Sequence, residues 1–237
     1  MMLKCCFVLY LNICYFVFDM NQLHLMTFSC RFQVVHRYRP HNEHRIVTEL
    51  SGLVQGLELR EKYKLSSPTI CVSEFGPNKY YGASMSCEGR TAGRIMIAVS
   101  CLHTWHTSVS DAVMSYFPGK QKRNDFDGTF NLPVSVSCRA YSLRDRQVIP
   151  PCVSCSNLFG LRTTETKKFV YGNCAEAESV SRLLTGEQEV ANVIARQVEA
   201  SPLYNARKRE HVVRQVPNGI PILNNFRGVL GVYYNPN

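Results

Sequence analysis

The chain holds 237 residues with a net charge of +9, and 45% of its residues are hydrophobic against 19% charged. That balance excludes a disordered chain and leaves enough length to bury a real core, as one large domain or two small ones. The positive charge favours acidic partners such as nucleic acid, nucleotides or a membrane surface. Its clusters are short, however (Arg37 and Arg39, Lys120 to Arg123, Arg207 to Arg209), and no nucleic-acid-binding motif accompanies them.

Residues 1–18 read MMLKCCFVLYLNICYFVF, with Lys4 ahead of an apolar run. The run has the charged and apolar regions of a signal peptide but no small-residue cleavage site after Phe18. It also falls short of the roughly 20 residues of a membrane span, so no stable membrane insertion is expected. Met20 and Met26 are alternative starts. We therefore treat residues 1–40 as an apolar segment and linker, an anchor or a gene-model artefact, and residues 41–237 as one domain.

From there the elements follow in order. Apolar Ile46, Leu50, Leu53, Val54 and Leu57 recur at helical spacing and predict a helix over 44–63. Thr69 to Phe75 reads as a strand, Gly76-Pro77-Asn78 as a turn, and Tyr80 to Cys87 and Arg94 to Cys101 as two more strands. A helix over 107–117 stops at Pro118-Gly119. After a polar loop, Phe130 to Tyr141 alternates like a strand, and Val148-Ile149 precedes a short helix from Cys152 to Gly160. Asn173 is placed to cap a helix to Leu184, and Thr185 with Gln188 is spaced as a capping box for a helix to Ala200. Ser201-Pro202 opens a last, basic helix to Gln215, and residues 219–234 read as final strands. The pattern predicts an α/β fold: a mixed sheet covered by helices, with a helical C-terminal extension.

Eleven cysteines are many, and an odd number cannot all pair within one chain. The sequence also lacks any Asn-x-Ser/Thr acceptor. A reducing, cytoplasmic setting is therefore expected, in which a Cys-x-x-Cys pair is free to bind metal. The alternative is a secreted, disulfide-bonded or membrane-anchored protein led by residues 1–19.

Pro151-Cys152-Val153-Ser154-Cys155 stands at a strand-to-helix junction. Two thiolates three residues apart on a first helical turn point the same way and can share one zinc ion. The helix start also favours their ionisation. Buried structural cysteines are the plain alternative. Tyr171-Gly172-Asn173-Cys174-Ala175-Glu176 places another cysteine at a helix start, with a carboxylate two residues on. Such a Glu176 can take and return a proton beside a metal, or merely favour the helix dipole.

Together these segments resemble the zinc-dependent deaminases of cytidine, nucleotides and nucleic acids, whose helices begin with His/Cys-x-Glu and Pro-Cys-x-x-Cys. The resemblance covers residues 44–184. It implies a cytidine deaminase-like three-layer arrangement, a Zn2+ ion on Cys152, Cys155 and Cys174, and Glu176 as general acid/base. The substrate implied is a nucleobase, nucleotide or nucleic acid. Here the two motifs stand in reversed order. The helix start expected earlier in the chain offers Cys101, His103 or His106 but no glutamate two residues beyond. Either Cys174 and Glu176 arrive from a displaced helix, or His106 or His103 is the third ligand and the proton shuttle is missing. The second case describes an inactive deaminase fold or a zinc-stabilised interaction protein. Its basic Arg207-Lys208-Arg209 and its Tyr233 and Tyr234 would then meet a protein or nucleic-acid partner.

Overall fold

The structure, a computed structural model, describes residues 42–58, 67–85 and 90–216. The apolar N-terminal segment, the strands expected over 219–234, and Tyr233 and Tyr234 lie outside them. Helix α1 spans Glu43–Glu58 and strands β1 and β2 span Thr69–Phe75 and Asn78–Ala83. Helix α2 (Arg90–Val99) runs into a π-helical turn at Ser100–Thr104, and α3 follows at Thr107–Met114. Strands β3 (Val136–Ser142) and β4 (Val148–Ile149) lead to α4 at Val153–Phe159. Three helices then close the described chain: α5 (Ala175–Gly186), α6 (Gln188–Glu199) and α7 (Ala206–Gln215).

Among the described residues the sheet runs β2-β1-β3-β4 and every neighbouring pair is antiparallel, where a mixed sheet was expected. Antiparallel β1 and β2 need only the turn around Gly76 to connect them. Alternation along β1 sorts its side chains to two faces. Ile70 meets Ile46, Val47 and Leu50 of α1, with Tyr81 and Tyr141 alongside. Cys71 faces the other way, onto Ala175 of α5, and the Ser73 hydroxyl donates to Ser179 Oγ at 2.9 Å. The sheet thus lies between α1 and α5.

Gly82 makes the α5 packing close. A Cβ there would stand 2.3 Å from Ser179 N and 2.5 Å from Ala175 O, so the strand meets the helix backbone directly. A larger core gathers α2, α3, α5, α6 and α7 around Ile97, Val113, Phe126, Phe159 and Leu183. Within it Asp111 is buried, and it accepts from Tyr204 Oη at 2.7 Å and from Arg209 Nε at 2.9 Å, fastening α7 to α3.

Several elements differ from the sequence expectation. Arg94 to Cys101 is not a strand but the end of α2 and the start of the π-helical turn. Ile95 through Val99 are all buried, and a short run that is apolar all round shows no helical stripe. The strand expected from Phe130 starts only at Val136, because Pro133 cannot donate to a ladder. Helix α5 is capped by Cys174 rather than Asn173. It continues through Thr185, whose hydroxyl donates to Ser181 O, so Glu187 takes the α6 cap position instead of a Thr185–Gln188 box. Helix α7 begins after Asn205, whose side chain accepts from Lys208 N; Ser201-Pro202 belongs to the preceding turn. Among the described residues no helix is long and apolar enough to cross a membrane.

Candidate metal centre

Cys152, Cys155 and Cys174 converge. Cys152 and Cys174 each occupy a helix N-cap position with extended backbone, and Cys155 lies in the first turn of α4. Two backbone features set the entry into α5. Met85 N donates to Asn173 O at 2.9 Å, tying the α5 entry to the end of β2. Gly172, at φ +86°, turns the chain into α5 against Ile97, Trp105 and Val113, where a side chain would be strained.

Cys152 Sγ lies 3.7 Å from Cys155 Sγ and 3.5 Å from Cys174 Sγ, and all three sulfurs fall within 4.8 Å of one another. Thiolates bound tetrahedrally to zinc at about 2.3 Å stand about 3.8 Å apart, so the donor set fits that ion. The three cysteines could hold a metal. A tetrahedral ion held by these three sulfurs would keep its fourth position for another ligand.

Among themselves the three thiols divide protons unequally. Hydrogen bonding with Cys155 and Cys174, helped by the backbone around Cys155 and Phe169, pulls Cys152 down to about 2 despite its burial. Cys155 is pushed well up, chiefly by its bond to Cys152, and so is Cys174. Cys152 is therefore the first thiolate, and the other two must release protons to bind a cation.

Glu176 sits in the first turn of α5 and is only 5% exposed. Burial raises its pKa above the ordinary carboxylate value, and the negative charge of Cys152 adds to the effect. Its own backbone amide and the Cys155 thiol work in the opposite sense by hydrogen bonding. A buried carboxyl beside three thiols that could hold a metal is placed to exchange a proton there.

The histidines are placed elsewhere. Among the described residues the group with metal-ligand spacing consists of the three thiols, and neither His103 nor His106 belongs to it. His106 caps α3, its Nδ1 accepting from Ser108 N at 3.3 Å, while its own amide donates to Ser181 Oγ at 2.8 Å. Burial lowers the pKa of both rings. Cys101 is buried in the core, its thiol pushed up by desolvation and by Asp111.

The sequence reading missed a second thiol pair. Cys71 and Cys138, on adjacent strands, place their sulfurs 3.4 Å apart on the face that meets α5. Burial, then the Cys138 bond and charge, and then the Glu176 charge push the Cys71 thiol well up. Only the pairing of β1 with β3 shows that residues 67 positions apart share this face. No disulfide joins the described cysteines.

No protein family, no curated protein and no solved structure matches the chain.

Proposed function

We propose that the chain is a deaminase-like zinc hydrolase in which Cys152, Cys155 and Cys174 hold the ion and Glu176 moves the proton. The observation that carries this reading is the meeting of two helix starts, one bearing Pro-Cys-x-x-Cys and the other Cys-Ala-Glu, although they follow one another in reversed order. Space, not chain order, decides whether ligands converge. A sheet lying between α1 and α5, with both ligand-bearing helix starts at one end, is compatible with a deaminase-like three-layer arrangement.

Bound zinc would supply Lewis-acid activation of water at neutral pH. Glu176, buried and raised in pKa, would accept a proton from that water and return it to the departing amine. In balance, water adds to an amino-substituted ring carbon, the C–N bond breaks, ammonia leaves and a carbonyl remains; nothing is oxidised or reduced. The substrate class is an exocyclic amine of a nucleobase, carried as base, nucleotide or nucleic acid.

The test combines metal analysis of protein purified without chelator with ammonia release from nucleosides, nucleotides and oligonucleotides. One equivalent of zinc, turnover, and loss of turnover in Glu176→Gln with zinc retained support the reading. Glu176→Gln with full activity, or no zinc bound, overturns it. Stoichiometric zinc with no ammonia from any substrate points instead to a zinc-stabilised interaction protein.

A further inference from the structure

Among the described residues, exposed large apolar side chains are few, and two of them are adjacent: Phe169 at 52% and Val170 at 49%. They stand directly beside the metal centre. Ser154 Oγ, within the Cys-x-x-Cys turn, donates to Phe169 O at 2.6 Å, and Val153 N donates to Lys167 O at 3.0 Å. The segment is thus fixed by its backbone to the first turn of α4, while the Phe169 and Val170 side chains remain exposed.

Two lysines precede these residues in the chain. Lys167 and Lys168 are exposed, and Lys168 Nζ donates to Lys120 O at 2.9 Å, which brings the basic 120–123 loop alongside. Lys122 and Arg123 of that loop are neutralised by Asp127 and Asp125. Lys120, Lys167 and Lys168 make no ion pair among the described residues. The nearest acidic residue in the segment is Glu165, so the local balance is positive.

An exposed aromatic beside lysines that make no ion pair matches an unstacked base and the phosphates of its strand. Base stacking tolerates any base, and lysines track the backbone without reading it. A duplex offers no free base face to Phe169 unless a base is extruded. We propose that Phe169, with Lys167, Lys168 and Lys120, forms a binding surface for single-stranded nucleic acid at the rim of the three-cysteine centre. The proposal rests on the hydrolase reading only for what happens to a base delivered there; strand binding stands apart from turnover.

The test is fluorescence anisotropy of a labelled single strand of about twelve nucleotides, a length suited to one such site. The zinc-loaded full chain is used, with Glu176→Gln in the background so that turnover plays no part. Wild-type surface residues should bind, with affinity falling steeply as salt rises. Phe169→Ala should weaken binding roughly 5- to 100-fold with the salt slope unchanged. Lys167→Gln with Lys168→Gln should weaken it and reduce the slope by about 1.4, the loss expected for two phosphate contacts on a single strand. Equal urea midpoints and zinc content show that the variants are folded. Absence of binding, an unchanged Phe169→Ala, or equal competition by duplex DNA or by a polyglutamate peptide overturns the proposal. Strand binding without ammonia release would leave the surface standing and remove the hydrolase reading; ammonia release from free nucleosides without strand binding would do the reverse.

Discussion

Replacing Gly82 with alanine tests how the fold builds the three-cysteine group. The added Cβ would stand 2.3 Å from Ser179 N, 2.5 Å from Ala175 O and 2.9 Å from Glu178 C, all backbone atoms of α5. No side-chain rotation relieves such contacts. Restoring a 2.3 Å approach to ordinary van der Waals distance moves the helix by about 1 Å. Overpacking of this kind costs about 1–3 kcal/mol, with the upper end expected because backbone must yield. The same movement displaces Cys174 and Glu176 at the α5 start. Gly82→Ala should therefore lower the urea midpoint and weaken zinc binding, measured by chelator competition. Gly52→Ala is the control: a Cβ at this exposed α1 position meets nothing within 4 Å. It should stabilise by about 0.5–1 kcal/mol through helix propensity. If Gly82→Ala unfolds at the wild-type midpoint and holds zinc equally well, α5 does not pack on β2 as described.

Further outcomes follow from the same structure. With Cys152 ionised and Cys155 and Cys174 protonated, zinc binding at pH 7 should release about two protons, counted by calorimetry in buffers of different ionisation enthalpy; no release would contradict the proton sharing described. Cys174→Ser should sharply reduce zinc affinity, whereas His106→Ala should leave it unchanged and cost only the α3 cap, about 1 kcal/mol in a urea titration. Burial works against the charge of Glu74, but Ser137, Lys79 and Arg139 outweigh it and hold its pKa below the ordinary 4.5. Its contribution is complete above 4.5 and is lost as pH falls through the lower folded value, so Glu74→Gln should flatten the acid limb of stability against pH. Asp111→Ala should cost about 3 kcal/mol by leaving Tyr204 and Arg209 without their acceptor, and Arg209, a third exposed, keeps the loss from being larger.

Local chemistry was legible along the chain wherever one segment carries its own signal. The strand from Thr69 to Phe75, the helix ending at Gly160 and the clustering potential of Cys152 and Cys155 follow from propensity, turn residues and three-residue spacing. So does the pairing of Cys174 with Glu176 on one helix start. Signals fail where neighbours decide. The run from Arg94 to Cys101 is apolar on every side because helices enclose it, and periodicity then carries no information about its conformation. Sheet direction likewise depends on which strands pair, and no single strand records that. Tertiary structure alone set which candidate ligands meet: it brought Cys174 to within 3.5 Å of Cys152 and turned His106 to a helix cap. It also placed Cys71 against Cys138 across two strands and held Phe169 beside the centre while leaving its ring exposed. The physical reason is that spacing fixes directions within one element, whereas distances between elements are set by packing, here by the close approach of β2 to α5 at Gly82.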